Sequence, residues 1–320
     1  AVMEAGVGGR SDLTNVMDTA VAVITSVGLD HVKTLGPGLD SIAHHKAGII
    51  RAGSRAVVLA PPDGAHAHAV TAARAEAARV GAPLRVVTRD SFDARVDPTT
   101  GRTVVSLRGA RHRIDELSLD LVGPFQGENA ALALAAVEEL ERAEGIVVET
   151  GAVRAGLARA RLPGRVERVA AGRDTPCPVL LDGAHNPDKL AAMLGAVEAL
   201  RARRIHVVYG ALAARAPDTA ILRLARLARS FVVSQPHVYQ KSARAPADLC
   251  QLIRRAVAPR PRLMVVPDPP RAVEAALDAA RPDDLVLVTG SLYLCGEARE
   301  RWYPWPTVLR ARSSFARAAR

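Results

Sequence analysis

Apolar and polar positions along the chain change period several times, and each change marks an element. Residues 20–28, AVAVITSVG, form a continuous β-branched run of the kind buried strands show. LDSIAHHKAGII (39–50) opens with helical spacing and is closed by Gly48. SRAVVLAP then predicts a strand and VTAARAEAARVG a helix. Between Leu84 and Gly123, short alternating stretches such as TVVSLRG flank the turn DPTTG and predict an antiparallel β insert over about 84–123. GENAALALAAVEELERA (127–143) predicts a strongly apolar helix, and ETGAVRAGLARAR another with Thr150 as N-cap.

After LPGR (162–165) the pattern settles into strand–helix alternation, with strands PVLLD, IHVVYG, SFVVSQ, RLMVVP and DLVLVTG. The helix after PVLLD has good start signals, Asn186 as N-cap and Pro187 in the first helical position. Within it Leu190, Met193, Leu194, Val197 and Leu200 keep a 3.6 period. Asp218 opens the next helix. Such alternation predicts a doubly wound, mostly parallel sheet with ligand-binding groups at the carboxyl ends of its strands. The expectation is two α/β domains meeting near Pro163, with Glu4 ending the first strand of the chain and Asp30–His31 ending the second.

Composition narrows this picture. A chain of 320 residues, 49% of them hydrophobic, has room for two cores. No run reaches the roughly 20 apolar residues of a membrane span, and the first residues lack a leader pattern. Three scattered cysteines (Cys177, Cys250, Cys295) suggest neither a disulfide framework nor a zinc site, and fit a reducing, cytoplasmic setting. The net charge of +10 is carried by arginine, since the only lysines are Lys33, Lys46, Lys189 and Lys241. With 3% aromatic residues and no basic stripe interleaved with them, nucleic acid is not an expected partner, and neither is a membrane. An acidic small-molecule ligand or plain solvated arginines account for the charge.

Candidate chemistry lies at the predicted strand ends. The chain opens AVMEAGVGGRSDLTN, a glycine-rich turn whose spacing does not match the G-x-x-x-x-G-K-[ST] of a phosphate loop. Glu4 and His31 either share a divalent cation or are a surface glutamate and a hydrogen-bonded loop histidine. Lys46 projects from a helix face otherwise made of Leu39, Ile42 and Ile49. A buried ammonium there must snorkel to solvent, meet a phosphate or be chemically modified. DGAHNP (182–187) supplies a carboxylate, an imidazole and a helix N-terminus, suited to ribose hydroxyls and an anion, or is a plain strand–turn–helix link. TGSLYLCGE (289–297) has the same form, and Arg165 sits at the domain boundary, placed for a bridging phosphate.

Taken together, EAGVGGRSDLTN (4–15), SVGLDH (26–31), HHKAGII (44–50), ENAALALAA (128–136), LPGRVE (162–167), LLDGAHNP (180–187) and LVTGSLYLCGE (287–297) resemble, in this order, the folylpolyglutamate synthase/dihydrofolate synthase family of the Mur ligases. The resemblance implies an α/β fold: a truncated Mur-ligase central P-loop-type domain (1–162), a Rossmann-like C-terminal ligase domain (163–306) and an Arg-rich tail (307–320). It implies Glu4, His31 and Lys46 as magnesium-site residues, with Lys46 carbamylated. It implies Asn129, Arg165 and Asp182 as ATP contacts, and Arg10 and Asp12 in the pterin-side segment. Asp12, His185 and Ser291 match positions affecting glutamate addition, which makes Lys46, Asp182, His185 and Ser291 the catalytic candidates. The implied partners are ATP, Mg2+, L-glutamate and dihydropteroate or a folate, acting on a monomer.

Two departures matter. The family's phosphate loop lies upstream of the EAGVGGR segment, and no G-x-x-x-x-G-K-[ST] occurs in the 320 residues. The expectation is therefore an amino-terminally truncated ligase, inactive as these 320 residues alone. In GALAARAPDTAIL the family's Asp–Lys–Asp is missing apart from Asp218. A non-catalytic binding or assembly protein and a Mur-type cell-wall precursor ligase stand as the alternative functions.

Overall fold

The computed structural model describes residues 1–60, 67–172, 175–213 and 218–315. Two compact units emerge. One comprises Ala1–Arg95, Thr103–Leu119 and Pro124–Ala160; the other Val96–Arg102, Asp120–Gly123 and Arg161–Arg320.

In the first unit the order is β1 (Val21–Ile24), α1 (Val32–Leu35), α2 (Leu39–Ala47), β2 (Arg55–Leu59), α3 (Ala67–Val80) and β3 (Leu84–Val87). Then come β4 (Phe92–Asp97) and β5 (Arg102–Arg108), whose Val96–Arg102 end belongs to the second unit, followed by β6 (Arg113–Leu119), α4 (Gln126–Glu144) and α5 (Thr150–Ala158). Strands β1, β2 and β3 form a parallel sheet with β2 in the middle, Val23 beside Val57 and Val57 beside Arg85. The β2 side chains Ala56, Val57 and Val58 are fully buried, as its unbroken apolar run predicts. Helices α2 and α3 cover Ala56 and Val58.

Four expectations need correction. Glu4 does not end a strand: residues 1–5 have no ladder partner, and an extended segment without one is not a strand. Asp30 and His31 do not end one either, because β1 stops at Ile24 and His31 caps α1 instead. The antiparallel insert begins at Phe92 rather than Leu84, since β3 pairs in parallel with β2. Thr150 is the first helical residue, not the N-cap; Glu149 takes that place while Thr150 Oγ1 bonds His112 Nδ1 at 2.8 Å.

Helix α4 carries acids that its apolar reading hides. Glu138, Glu139 and Glu141 are almost completely buried. Glu138 accepts the backbone N–H groups of Ala110 (3.0 Å), Arg111 (2.8 Å) and His112 (2.9 Å), and the Arg85 guanidinium donates to it as well. Burial pushes its pKa up, but these donors outweigh burial and hold it at about 2. Glu139 pairs with Arg55 at 2.5 Å, and Glu141 accepts the Val148 N–H at 2.7 Å. Three carboxylates thus fasten α4 to the parallel sheet and to the β5–β6 turn.

The second unit contains β7 (Glu167–Val169), β8 (Val179–Asp182), α6 (Pro187–Ala199), β9 (Ile205–Tyr209), α7 (Asp218–Leu227) and β10 (Ala228–Val233). It continues with α8 (Pro246–Ala256), β11 (Arg262–Val265), α9 (Pro269–Ala279), β12 (Leu285–Thr289), α10 (Leu292–Arg299) and α11 (Trp305–Ala311). The sheet order is β11-β10-β9-β12-β8-β7, parallel except for β7, which pairs antiparallel with β8. Strand β12 lies between β8 and β9, so the loops after β8, β9 and β12 gather at one edge of the sheet. His206 staples the opposite end, bonded to Ser230 Oγ (2.8 Å) and Asp284 Oδ2 (3.2 Å), all three buried. The segment read as an Arg-rich tail starts inside α11, and its Phe315 packs edge-on to Tyr303, at the margin of the apolar cluster that contains Trp302 and Tyr303. Residues 316–320 of that tail lie outside the described residues.

Replacing Glu138 with Ala leaves three backbone N–H groups, the buried one of His112 among them, without their acceptor and takes from Arg85 its nearer carboxylate, so it is expected to destabilise the chain by about 3 kcal/mol. Urea unfolding measures this, and a loss below about 1 kcal/mol would contradict the fastening role. The sign with pH follows from a depressed carboxylate. The Glu138 contribution is complete above its unfolded pKa of 4.5 and disappears as pH falls through about 2.

Candidate functional site

The two units are built separately. In the first, the segment Gly6–Asn15 folds around Asp12. One Asp12 oxygen accepts the N–H groups of Gly6 (2.8 Å) and Val7 (3.0 Å); the other accepts Thr14 N–H (2.9 Å) and Thr14 Oγ1 (2.6 Å). The Thr14 hydroxyl and these amides hold the Asp12 pKa down at about 2. Asp12 is therefore the organiser of the glycine turn. The glycines serve close approach: a Cβ on Gly9 would stand 2.5 Å from Ile49 and 3.1 Å from the Lys46 carbonyl, and one on Gly48 would strike Arg10. Arg10 N–H bonds the His45 carbonyl at 2.8 Å, and Arg10 Nη2 donates to Glu76 at 2.7 Å. The glycine turn thereby lies on the last turn of α2, where Lys46 is. Leu35 at the end of α1 also packs on it, against Gly8.

Lys46 is half-buried on α2, among Leu39, Ile42 and Ile49, and makes no ion pair among the described residues. Glu4 is exposed and makes no hydrogen bond among the described residues. His31 adopts a left-handed φ of 51°, with its N–H on Asp30 Oδ1 at 2.9 Å and its ring Nε2 3.9 Å from the same oxygen. The segments bearing Glu4, His31 and Lys46 meet around the glycine turn. Their side chains do not form a closed cluster: among the described residues no three His, Cys, Asp or Glu side chains are arranged to hold a metal. Asn129 is exposed in the first turn of α4, its amide donating to Gln126 Oε1 at 3.0 Å.

The second unit brings its candidates together more tightly. Asp182 ends β8, next to Thr289 of β12, and is 5% exposed. Its Oδ2 accepts Val166 N–H and its Oδ1 accepts Ala184 N–H, both at 2.8 Å. Gly183 N–H reaches the Gly164 carbonyl at 2.9 Å, so the PGRV turn is clamped to the end of β8. Within that turn Val166 has φ 45°, a strained conformation for a β-branched residue. Burial raises the Asp182 pKa to about 6; the two amides, Arg165 and Lys189 oppose it and lose. Arg165 itself makes no ion pair among the described residues.

His185 Nδ1 meets the Gly183 carbonyl at 2.9 Å, which directs Nε2 away from the backbone. Asn186 caps α6 by accepting Lys189 N–H at 2.9 Å. Ser291 caps α10, its Oγ accepting Tyr293 N–H at 3.1 Å, and Leu292 fills the space a Cβ on Gly183 would need. Arg165, Asp182, His185 and Ser291 therefore share one edge of the sheet. Sequence reasoning missed the neighbours there. Lys241 Nζ bonds Tyr293 OH at 3.0 Å, Arg244 pairs with Asp218 at 2.6 Å, and His237 Nδ1 pairs with Glu297 at 2.7 Å. The rarity of lysine was the signal that could have found Lys241.

Both units match family models: the Mur ligase middle domain over residues 1–137, and the Mur ligase glutamate ligase domain over 164–292. The chain is 30% identical over 303 residues to the dihydrofolate synthase/folylpolyglutamate synthase of Bacillus subtilis, covering 94% of this chain and 66% of that protein. The structure of Mycobacterium tuberculosis folylpolyglutamate synthase complexed with ADP and AMPPCP superposes with a TM-score of 0.76 at 29% identity, over 93% of this chain and 67% of that one. Escherichia coli FolC in complex with DHPP and ADP gives 0.73 at 30% identity, over 96% of this chain and 66% of that one. The chain thus spans about two thirds of the length of the relatives it matches. No helix among the described residues is long and apolar enough to cross a membrane. On two domain matches in sequence order and relatives aligned along nearly its whole length, the chain belongs to the folylpolyglutamate synthase/dihydrofolate synthase family of the Mur ligases.

Proposed function

We propose that the chain is the larger part of an ATP-dependent ligase that joins L-glutamate to dihydropteroate or to the terminal glutamate of a folate. The observation that carries this reading is the Asp182 clamp: one buried carboxylate fixes the strained PGRV turn, and Arg165 in that turn makes no ion pair among the described residues, so it can take a nucleotide phosphate. The relatives whose structures hold ADP support the nucleotide, and the one holding DHPP supports the pterin substrate.

In the proposed reaction a carboxylate oxygen of the pterin substrate attacks the γ-phosphorus of ATP and ADP leaves, giving an acyl phosphate. The amino group of glutamate then attacks the acyl carbon. The tetrahedral adduct collapses by breaking the C–O bond, releasing phosphate and the amide. Arg165 holds a phosphate and Asp182 accepts from ribose hydroxyls once it is ionised. Asn129 supplies an amide to the nucleotide, and Arg10 positions the pterin side through the turn that Asp12 organises. His185 and Ser291 orient the incoming glutamate, with Lys241 offering charge to one of its carboxylates.

Magnesium is usually held by one or two carboxylates together with substrate phosphates, so Glu4 suits it, whereas the His31 imidazole is an unusual ligand for so hard an ion and is assigned on the family resemblance alone. When bound, the ion neutralises charge on the transferring phosphoryl group. Lys46 as a bare ammonium would repel such an ion, whereas carbamylation by CO2 turns it into an anion that supports the site. No G-x-x-x-x-G-K-[ST] lies within the 320 residues, so the grip on the β- and γ-phosphates is not in this chain. We therefore assign these residues alone little or no turnover.

Three outcomes test this reading in the full-length protein. Glutamate-dependent ADP release with dihydropteroate and ATP is expected, and its absence would count against ligation. Lys46→Met is expected to lower kcat at least about a hundredfold, and removal of CO2 to lower wild-type kcat reversibly, with bicarbonate restoring it. Activity indifferent to both changes would exclude the carbamate. Because burial keeps Asp182 protonated below about pH 6, KM for ATP is expected to fall as pH rises through 6. Asp182→Asn should flatten that profile; an unaltered profile would remove Asp182 from the nucleotide contacts.

A further inference from the structure

A cleft in the second unit adjoins the turn that carries Arg165, since Val166 and Glu167 line it. It has a volume of about 220 Å3 and is formed by the 102 and 120–121 segments, β7 and the residues around Tyr303 and Phe315. Three guanidinium groups, those of Arg102, Arg161 and Arg168, surround one carboxylate, Asp120. Arg102 and Arg161 pair with Asp120 at 2.5 Å and 2.8 Å. The other lining carboxylate, Glu167, is occupied by Arg299 at 2.7 Å and by Gly164 N–H at 2.9 Å.

Arg168 is left over. Its guanidinium makes no hydrogen bond or ion pair among the described residues. Burial lowers its pKa, Arg102 lowers it further, and Asp120 opposes both without contact. The turn at Gly101 (φ 65°) lies directly on it: a Cβ there would stand 2.7 Å from Arg168 Nε. The Gly101 turn therefore packs against a guanidinium that no carboxylate among the described residues contacts. The rest of the cleft is apolar and aromatic. Phe315 stands edge-on to Tyr303 with ring centroids 5.8 Å apart, and Arg161 lies 5.5 Å above the Phe315 ring.

We propose that this cleft is a binding site for a small, flat organic dianion, an aromatic dicarboxylate, adjoining the PGRV turn but lined by neither Arg165 nor Asp182. Three positive groups against Asp120 leave a surplus of two charges, and the guanidinium fork matches a carboxylate bidentately. The rings and Leu121, Leu162 and Val166 supply apolar surface for a flat body between the charges. The volume falls below the roughly 300–1,000 Å3 of sites that enclose drug-sized molecules, so the ligand is one ring in size. None of this depends on the ligase reading.

Isophthalate is the probe, titrated calorimetrically into the 320-residue chain, with inorganic phosphate as a dianion lacking the ring. Saturable isophthalate binding with a dissociation constant of about 1 mM is expected, and phosphate weaker by at least about fivefold. Arg168→Gln is expected to weaken isophthalate about tenfold or more, and Arg168→Lys less than that. Phe315→Ala, which removes one lining ring, is expected to weaken it at least about threefold and tests the site even where Arg168→Gln unfolds. No saturable binding up to about 20 mM would overturn the proposal. So would phosphate binding as tightly as isophthalate, or unchanged affinity in a folded Arg168→Gln or Phe315→Ala chain.

Discussion

A single carboxylate governs the second unit's ligand edge. Asp182 is buried at the end of β8, where ionisation is disfavoured, yet both of its oxygens accept backbone N–H groups. Those two bonds do different things. The one from Ala184 sets the course of the loop into α6, and with it His185 and the Asn186 cap. The one from Val166 holds a β-branched residue at positive φ, which costs about 1–3 kcal/mol and persists only where surroundings over-determine it. Arg165 directly precedes that residue in the chain. A group so desolvated is also poised, since its charge appears only above a pH of about 6.

The first unit relies on a parallel device. Asp12 ties the glycine turn into a small knot, and the turn then seats against the end of α2 because Gly9 and Gly48 have no side chains to obstruct it. Lys46 is thereby kept half-buried beside a backbone it does not pair with. On the far side, α4 is bolted down by buried glutamates whose donors come from turns and from Arg55 and Arg85. Both units place hydrogen-bonded carboxylates beside half-buried cations, Lys46 and Arg165, that make no ion pair among the described residues. That is the arrangement expected where charge must be presented without wandering.

Much of this was legible in the sequence. The alternating strands and helices of residues 179–299 follow from periods and caps, and Asn186, Pro187 and Gly48 mark boundaries where they are found. Lys46 stood out because it interrupts an apolar face. What escaped was long-range. Residues 1–5 cannot be strand without a ladder partner, which no local pattern reveals. Strand β7 is three residues long, too short to carry a period, and it runs antiparallel. Thr150 looked like a cap until His112, thirty-eight positions earlier, claimed its hydroxyl. The buried glutamates of α4 look like a solvated face when read alone. The basic tail concealed Phe315, whose place depends on Tyr303 and two arginines.

The two bonds that Asp182 accepts hold the turn and the loop on either side of it, and amide NMR observes them directly. In a 15N-labelled chain titrated from pH 4 to 8, the N–H resonances of Val166 and Ala184 are expected to move together with one midpoint near 6, and both to stop moving in Asp182→Asn. Two amides that titrate independently, or a common midpoint near the ordinary aspartate value of about 4, would contradict a buried carboxylate as the clamp.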